Sequence, residues 1–572
     1  MTTIAFRTAP ASAEERLIRE GVHPVLARLY AARGVRDKSE IDDGFAALLP
    51  PATMLHAERA AALLAGAIEA SLRLLIVADY DCDGATASAV AVRGLGALGA
   101  DVEFVVPNRF EYGYGLTPEI VREAAGRSPR LIVTVDNGIA SHDGVAAAAA
   151  LGIEVLITDH HLPAATLPSP ALIVNPNQPG CLFPSKNLAG VGVMFYVLLA
   201  TRGALRDRGA FGVGPEPNFA PLLDLVALGT IADVVRLDRI NRTLVAQGLA
   251  RIRAGRAQPG IAALFTAAGR DPRRASAYDL GFVAGPRLNA AGRLADMTIG
   301  IRCLLAETGV AALPLAVELD RLNRERRSVE STMQEEALAE LDARATVATD
   351  PDAYTLCLYR AEWHQGVVGI VASRLKDRFH RPAIVFARGG GAGELRGSGR
   401  SIAGFHLRDA LDLVTKRAPG IIVRFGGHAY AAGLTLAESD LPRFAAAFEA
   451  VAREQLSPAQ LSRTLDSDGP LAAEELDLTL AEALRREVWG QGFPAPLFDD
   501  AFAVVDRRIV GGKHSRLTLA RPGNGRTVRY PAILFNHAAP LPPTIRAAYR
   551  PEVNEWNGTV ALQLVIEHWQ PE

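Results

Sequence analysis

Hydrophobic and polar positions in the first half of the chain alternate between short apolar runs and longer amphipathic stretches. From about residue 55 to 310 this pattern is typical of strands and helices that follow one another, and it predicts a parallel sheet with flanking helices. The clearest strand runs are 74–77, 131–135 and 155–158. The residues before about 55 predict a helical lead-in that ends near Pro50 and Pro51.

The second half of the chain changes character twice. From about Leu313 to Arg344 it is charged with mixed signs and nearly free of Gly and Pro, which predicts a long, solvated connecting helix. A second α/β unit is expected from about 350 to 440. Beyond about 465, short strand runs separated by glycine-rich turns predict a small β-barrel or sandwich, for which an OB-fold is a natural candidate. The predicted segments are 1–55, 56–312, 313–346, 347–440, 441–464 and 465–572.

Three aspartates, Asp79, Asp81 and Asp83, follow the first clear strand run and are closed by Gly84. Unpaired carboxylates repel one another and are costly to bury, so such clusters usually hold hard divalent cations. An acidic turn is the plain alternative, and a calcium loop of the EF-hand type is a second one. The EF-hand is excluded because Val90 stands where that loop needs a glutamate, and because a strand rather than a helix precedes it.

The same construction recurs at the next two strand ends, with Asp136-Asn137-Gly138 and Asp159-His160-His161. Because the carboxyl ends of parallel strands lie along one edge of a sheet, we expect these groups to converge. Asp233, in the apolar stretch 228–235, is a fourth candidate, for which structural capping or an arginine partner is the alternative. Carboxylates and imidazoles without nearby thiolates favour Mg²⁺ or Mn²⁺ over a structural zinc site.

Composition narrows the class of protein. The 572 residues predict several domains, and four scattered cysteines without a CxxC pair indicate reduced thiols. The chain shows neither a secretory leader pattern nor an uncharged apolar run of spanning length, so a soluble cytoplasmic protein is expected. The net charge of −2 hides two basic regions: residues 351–436 hold 12 Lys/Arg against 6 Asp/Glu, and residues 501–572 hold 9 against 5. These regions suit phosphate binding, although ordinary solvated surface is the alternative.

The segments DYDCDG, VDNG, TDHH and GTIAD, which begin at Asp79, Val135, Thr158 and Gly229, resemble the four ordered motifs of the DHH phosphoesterase superfamily. The resemblance implies an α/β multidomain fold: a parallel-sheet DHH domain, a long connecting helix, an α/β DHHA1 domain and a C-terminal OB-like β-barrel. All four motifs are expected in strand-end contexts. One departure is Asn137, where many relatives carry Cys, and it should not remove a ligand because Asp136 is the group that matters.

The resemblance also implies roles for the motif residues. Two ions, Mn²⁺ or Mg²⁺, would be held by Asp79, Asp81, Asp83, Asp136, His160 and Asp233. Asp136 would bridge the ions, Asp159 would orient a neighbouring imidazole, and His161 would face the scissile phosphate. Two metals about 4 Å apart suit phosphodiester hydrolysis, since they activate a water and stabilise the leaving oxygen.

Other segments separate the branches of the superfamily. Residues 285–293 and 363–375 look like signatures of its bacterial single-strand exonucleases, and residues 397–401 and 426–428 resemble glycine-rich motifs of the DHHA1 domain. Arginine binds phosphate bidentately and Ser adds a directional donor. The predicted substrate contacts are Arg109, Arg287, Asn289, Arg293, Ser373, Arg374, Arg400 and His428, and the predicted DNA contacts of the C-terminal module are Lys513, Arg516, Arg529, Tyr530 and Trp556.

The function implied is a divalent-metal-dependent 5′→3′ exonuclease that degrades single-stranded DNA to 5′-mononucleotides in repair and recombination. The implied partners are single-stranded DNA and, as family expectations, a single-strand binding protein and a RecQ-type helicase, with the enzyme acting as a monomer and not at a membrane. One alternative is an oligonucleotide or cyclic-dinucleotide phosphodiesterase. Another is a catalytically silent, Cdc45-like scaffold.

Overall fold

The computed structural model describes residues 2–107, 115–212, 214–343, 353–391, 393–523, 525–556 and 558–572. The chain forms two compact units. The larger comprises Phe6–Asp320 with Asp466–Glu572, and the smaller comprises Arg321–Leu465 with the first residues up to Ala5. Within the described ranges, no helix combines the length and the apolar character that crossing a membrane requires.

The N-terminal lead-in consists of β1 (Thr2–Phe6), α1 (Ala11–Arg19) and α2 (Pro24–Ala31), followed by short 3₁₀ turns. Val25 and Leu29 of α2 are buried in the same apolar core as residues of the C-terminal module. The side chain of Arg33, just after α2, binds Asp468 with two nitrogens at 2.9 Å. The two ends of the chain are therefore packed together in the larger unit, a contact that the sequence pattern does not reveal.

The central sheet of the larger unit is parallel, as predicted. Its strands lie in the order β3-β2-β4-β5-β6. The chain passes from β2 to β3 on one side and then crosses back to β4 on the other side of β2. In such sheets a crevice opens at the carboxyl ends of the strands where the winding reverses, here between β2 and β4. The elements, in chain order, are α3 (Ala57–Glu69), β2 (Arg73–Ala78), α4 (Cys82–Ala97), β3 (Asp101–Val105), α5 (Pro118–Ala125), β4 (Leu131–Val135), α6 (His142–Ala150), β5 (Glu154–Thr158) and β6 (Leu172–Val174).

The alternation of strand and helix ends earlier than predicted. After β6, the described residues up to 343 contain helices and no further strand. The apolar run before Asp233 is the helix α8, in which residues 223–230 are all buried. The prediction that Asp233 follows a strand is wrong. A run that is apolar on every face shows neither a helical nor a strand period, so the sequence pattern could not distinguish the two. The helices are α7 (Gly190–Asp207), α8 (Leu223–Ala232), α9 (Arg239–Arg253), α10 (Pro259–Ala267), α11 (Ala277–Asp279), a π-helical turn (Leu280–Ala284), α12 (Gly285–Leu294), α13 (Thr298–Leu305) and α14 (Gly309–Ala343).

The long helix α14 corresponds to the predicted connecting helix, and the smaller unit continues from it as a second α/β fold. Its sheet has the order β10-β11-β9-β8-β7, in which only β7 and β8 pair in parallel. Phe444 and Phe448 of α17 share a core with Phe386 of β8, so the stretch that the sequence places in a connector packs on this sheet. The elements are β7 (Leu356–Tyr359), α15 (Val368–Phe379), β8 (Ala383–Arg388), β9 (Glu394–Arg400), α16 (Leu407–Arg417), β10 (Ile422–Gly427), β11 (Ala431–Ala437), α17 (Leu441–Gln455) and β12 (Arg463–Ser467).

The C-terminal module is a closed five-stranded barrel with the order β13-β14-β15-β17-β16. This confirms the predicted barrel. Its core includes Phe498, Phe502 and Tyr549, and the short helix α18 supplies Leu480 and Leu484. The elements are α18 (Leu478–Arg486), β13 (Phe498–Val510), β14 (His514–Gly523), β15 (Arg526–Leu534), β16 (Thr544–Trp556) and β17 (Thr559–Pro571).

Candidate metal centre

The first aspartate motif is a tight turn from β2 into α4. Asp79 follows the strand directly, and its Oδ1 accepts the N–H of Tyr80 at 2.6 Å. Asp81 is the N-cap of α4, since its Oδ1 accepts the N–H of Gly84 at 3.0 Å. A Cβ at position 84 would lie 2.5 Å from the carbonyl oxygen of Asp79, so only glycine permits this close approach. The turn thereby presents its carboxylates at the positive end of the helix.

Cys82 lies between Asp81 and Asp83, in the first turn of α4. Its side chain is buried, which suits a packing role. Burial, and then the charges of Asp81 and Asp83, raise the pKa of the thiol well above its ordinary value. A protonated, buried thiol is a poor nucleophile and a poor metal ligand.

Asp83 is buried between two helices. Its Oδ2 accepts the N–H of Gly190 at 2.6 Å and its Oδ1 accepts the N–H of Val191 at 3.0 Å, so it also caps α7. Burial, followed by the charge of Asp81, raises its pKa to about 7 in spite of these two donors. Sequence reasoning missed Gly190 and Val191, although the pair of glycines at 190 and 192 was a signal of close backbone approach.

Asp136 follows β4 with a left-handed backbone, φ +62°. A β-carbon-bearing residue in this region costs about 1–3 kcal/mol, and such strain concentrates at functional sites. A Cβ at position 190 would lie 2.5 Å from the Cβ of Asp136, so α7 approaches this residue closely. The neighbouring Asn137 donates from Nδ2 to the carbonyls of Val77 and Val135 at 3.0 and 2.9 Å, which joins the ends of β2 and β4.

The third motif is organised around Asp159. Its Oδ1 accepts from the backbone N–H of His160 at 2.7 Å, from the backbone N–H of His161 at 3.0 Å and from Nδ1 of His161 at 2.7 Å. Its Oδ2 accepts the N–H of Ile139 at 2.9 Å. Burial alone would raise the pKa of Asp159, but the hydrogen bond and charge of His161 lower it below the ordinary value. Asp159 is therefore an ionised anchor for both histidines.

His160 lies between carboxylates from two other motifs. Its Nε2 is 3.2 Å from Oδ1 of Asp136 and 3.4 Å from Oδ2 of Asp233. Asp233 is the C-cap residue of α8, and the next residue, Val234, has φ +60°. A left-handed conformation is strained for a β-branched side chain, so the chain leaves the helix abruptly and Asp233 faces the sheet edge.

The six predicted ligands, together with His161, form three groups whose donor atoms lie within 4.8 Å of one another: Asp79, Asp81 and Asp136; Asp83, His160 and Asp233; and Asp136, His160 and His161. Asp136 and His160 each belong to two groups. Burial first, and then repulsion among neighbouring carboxylates, raises the pKa of Asp79, Asp136 and Asp233 well above 3.8. Divalent cations would relieve that repulsion, and carboxylate and imidazole donors fit Mn²⁺ or Mg²⁺.

Helix α12 packs on the first motif. Oδ1 of Asn289 accepts the N–H of Cys82 at 2.9 Å, and a Cβ at position 292 would overlap the carbonyl of Tyr80 at 1.9 Å. Arg287 is buried; its Nη1 donates to the carbonyl of Val283 at 2.6 Å and its Nη2 lies 2.8 Å from Asp320. Arg287 and Asn289, predicted as substrate contacts, thus make bonds within the fold that the sequence did not reveal. Arg293 is half-buried on the same helix.

Four predicted substrate contacts belong to the smaller unit. Ser373 is half-buried and Arg374 is exposed on α15, where Nε of Arg374 lies 2.8 Å from Glu330. The side chain of Arg400 donates to two groups of its own strand, the hydroxyl of Ser398 and the carbonyl of Gly399. Burial lowers the pKa of Arg400. His428 is exposed at the turn after β10. Arg109 lies outside the described residues.

The side chains expected to contact DNA on the barrel divide into two kinds. Lys513, Arg516 and Arg529 are exposed. Tyr530 is buried in the barrel core, where it packs against Phe502, so the prediction that it contacts DNA is wrong. It faces inward because residues of a barrel strand alternate between the two faces. The side chain of Trp556 lies outside the described residues.

Three family models match the chain: the DHH family N-terminal domain at residues 73–230, the DHHA1 domain at 352–454 and the RecJ OB domain at 467–568. The chain is 48% identical over 557 residues to the single-stranded-DNA-specific exonuclease RecJ of Escherichia coli strain K12, with 96% of each chain covered. It is 36% identical over 558 residues to RecJ of Thermus thermophilus, with 96% of this chain and 76% of that one covered. The chain belongs to the RecJ family.

Solved structures of RecJ agree with this membership. The crystal structure of RecJ from Thermus thermophilus in complex with Mn²⁺ matches with a TM-score of 0.82 and 32% identity, covering 100% of this chain and 80% of that chain. The Mg²⁺ complex from the same organism matches with a TM-score of 0.76 and 30% identity, covering 100% and 79%. The predicted superfamily and the α/β multidomain fold with DHH, DHHA1 and OB-like barrel domains are therefore confirmed.

Proposed function

We propose that the protein is a divalent-metal-dependent exonuclease specific for single-stranded DNA. The observation that carries the proposal is the convergence of the predicted ligands, from four separate segments, in a chain 48% identical to RecJ exonucleases over nearly its whole length. The ligands are Asp79, Asp81, Asp83, Asp136, His160 and Asp233. Mn²⁺ or Mg²⁺ is the proposed cofactor because these donors suit hard cations and because the RecJ of Thermus thermophilus was solved with each ion.

Two ions bound by these ligands would supply an activated water and neutralise charge on the leaving oxygen of an in-line displacement. Asp136 is proposed to bridge them, because its oxygens belong to two of the three donor groups. Asp159 fixes the orientation of His161 through Nδ1, so Nε2 is the nitrogen proposed to face the scissile phosphate. Burial alone would lower the pKa of His161, but Asp159 and then Asp233 and Asp79 raise it to about 9. The contributions of Asp233 and Asp79 apply to the metal-free protein, because bound cations would neutralise these carboxylates. The hydrogen bond to Asp159 does not depend on metal and keeps the ring of His161 oriented.

The remaining predicted substrate residues divide by their contacts. Arg293, Ser373, Arg374, Arg400 and His428 are proposed to contact DNA phosphates, together with Arg109. Asn289 is proposed to position the first aspartate motif rather than to contact the substrate, because its Oδ1 accepts the N–H of Cys82 at the start of α4. Arg287 is proposed to fix α12 through its pair with Asp320.

We further propose 5′→3′ polarity with release of 5′-mononucleotides. The support is the similarity of residues 285–293 and 363–375 to motifs of single-strand exonucleases. The proposed setting is DNA repair and recombination, where a RecQ-type helicase would expose single strands and a single-strand binding protein would cover them. The enzyme is proposed to act as a monomer.

Two other functions fit the sequence less well. A phosphodiesterase for short oligonucleotides or cyclic dinucleotides has no need of the barrel domain matched at residues 467–568. A catalytically silent scaffold would gain nothing from buried, mutually repelling carboxylates, which destabilise a metal-free fold. Neither alternative is favoured.

The deciding experiment uses single-stranded DNA and blunt duplex, labelled at either end, with Mn²⁺, Mg²⁺ or EDTA. Mononucleotides should appear first from the 5′ end of single strands, only with metal. Asp81→Ala and Asp136→Ala should abolish release, whereas Asp207→Ala, which removes an exposed carboxylate of the same unit, should not. Equal attack on duplex or full activity of the Asp136→Ala protein would contradict the proposal, and release from the 3′ end would contradict the polarity.

A further inference from the structure

Two large aromatic side chains of the larger unit stack on each other in solvent. Tyr278 and Phe282 are 55% and 62% exposed, and their rings lie 4.6 Å apart at an angle of 23°. Single exposed apolar residues are common, but a stacked aromatic pair left in water is an unusual concentration of apolar surface. Such surface is typical of a binding site.

The backbone holds the pair in place. A capping box formed by Ser276 and Asp279 begins α11, which carries Tyr278. Phe282 follows in the π-helical turn Leu280–Ala284, which continues directly into α12. Single π-helical turns are rare and occur frequently at functional sites. The two rings are therefore presented by ordered backbone rather than by a loop.

The π-helical turn packs against the part of α8 that ends in the metal centre. A Cβ at position 281 would lie 3.2 Å from Cγ2 of Ile231, and one at position 285 would lie 3.1 Å from the Cβ of Ala232. Ile231 and Ala232 immediately precede Asp233, a proposed metal ligand. Backbone on both sides of Phe282 is thus fixed to the wall of the metal centre.

A basic cleft is lined in part by residues that precede the aromatic pair in the sequence. Ala275, three residues before Tyr278, lines this cleft of about 340 Å³. Five arginines and two glutamates line the same cleft: Arg253, Arg273, Arg274, Arg485, Arg486, Glu482 and Glu555. Arg274 and Arg485 both pair with Glu555, and Arg273 pairs with Asp271. The arginines still outnumber these carboxylates, and the remaining positive charge suits a polyanion, since a guanidinium binds phosphate readily. Aromatic faces beside a basic groove are the usual means by which proteins hold single-stranded nucleic acid.

We propose that Tyr278 and Phe282 form a base-stacking platform for the DNA strand that is being degraded, outside the metal centre and next to it. The inference rests on the proposed exonuclease function. Stacking accepts every base because each has a π face, so the platform gives no sequence preference. Bases of a duplex are already stacked on their neighbours, and the platform therefore adds to the preference for single strands.

The first test measures KM and kcat on 5′-phosphorylated single strands from 2 to 20 nucleotides long. Phe282→Ala and Tyr278→Ala should raise KM for the 20-mer about fivefold to 150-fold, the range expected for loss of one stacked base. Saturated kcat and the shift of Tm on adding Mn²⁺ should stay as in the wild type, and Phe282→Trp should restore KM. Phe45→Ala is the matched control, because Phe45 is an aromatic residue of the same unit with 51% exposure. A KM within twofold of the wild type in both alanine variants would overturn the platform.

The second test reads stacking directly, with 2-aminopurine placed at successive positions of a single strand and EDTA present to prevent cleavage. Fluorescence should be quenched at one position by the wild type and by the Phe45→Ala protein, but not by the Phe282→Ala protein. Equal quenching by all three would overturn the inference. Because this test needs binding alone, it judges the platform even if the wild type releases no mononucleotides, a result that would contradict the proposed function instead.

Discussion

Nδ1 of His161 lies 2.7 Å from Oδ1 of Asp159, and the same oxygen accepts the backbone N–H groups of His160 and His161. One buried carboxylate thus sets the backbone of the third motif and the ring orientation of its last residue. The two histidines divide their contacts. His160 approaches Asp136 and Asp233, whereas His161 is held by Asp159.

Asp159→Asn should lower kcat about 10- to 100-fold, the usual effect of removing a carboxylate that orients a neighbouring imidazole. Both carboxylate oxygens of Asp159 accept hydrogen bonds from N–H groups, and the NH₂ group of an asparagine could not accept them. The pKa of His161 would fall because the negative charge beside it is lost. Steady-state kinetics on single-stranded DNA would measure the loss. Asp143→Asn is the control, since it changes an exposed carboxylate in the nearby helix α6. Unchanged kcat in the Asp159→Asn protein would contradict the proposed role.

The metal-free protein should lose stability as pH rises. Asp79, Asp83, Asp136 and Asp233 have pKa values raised by burial above the unfolded value, to about 7 for Asp83. The folded state therefore binds more protons than the unfolded state, and stability present below about pH 4 is lost as pH rises through the folded pKa values. In EDTA the Tm of the wild type should fall relative to the Tm of Asp136→Asn between about pH 5 and 8.

Adding Mn²⁺ should reverse this trend, because ligands must lose protons to bind metal and affinity then rises with pH. Differential scanning fluorimetry across the pH series, with EDTA or Mn²⁺, measures both effects. A difference in Tm between the wild type and Asp136→Asn that does not change with pH in EDTA would refute the account of buried, repelling carboxylates.

Gly190→Ala should destroy metal binding and lower stability, because the new Cβ would lie 2.5 Å from Cβ of Asp136 and 2.6 Å from its Oδ1. Gly203→Ala in the same helix is the matched control, since a Cβ at position 203 meets nothing within 4 Å. The control should keep activity and gain up to about 1 kcal/mol from helix propensity. Isothermal titration with Mn²⁺ and urea unfolding compare the two proteins, and equal Mn²⁺ affinity would contradict the prediction.

Arg33→Ala should destabilise the larger unit by about 3–5 kcal/mol, the usual effect of breaking a buried ion pair. The side chains of Arg33 and Asp468 are each 1% exposed, and Asp468 also pairs with Arg7 at 3.0 Å. Urea unfolding measures the change. Arg19→Ala, at an exposed position of α1, should change stability by less than about 0.5 kcal/mol. Similar midpoints for the two variants would show that the lead-in is not held by this pair.

The sequence determined the features that depend on local pattern. Apolar runs of strand length that end in carboxylates predict both the parallel sheet and the meeting of Asp79, Asp136 and Asp159 at one edge, because strand direction alone brings these ends together. The turn chemistry of the barrel and the charged pattern of the long helix are equally local. These predictions needed no knowledge of which distant residues touch.

Tertiary structure decided what depends on packing between distant segments. Asp233 is the C-cap residue of a helix, and the sequence did not predict that helix because the apolar run before Asp233 is buried on every face and carries no period. The pairing of Arg287 with Asp320, the capping of α7 by Asp83 and the hold of Arg33 on Asp468 each join residues far apart in sequence. A carboxylate or guanidinium in the sequence is the same whether it binds metal, phosphate or a buried partner, and only the folded chain determines which one it meets.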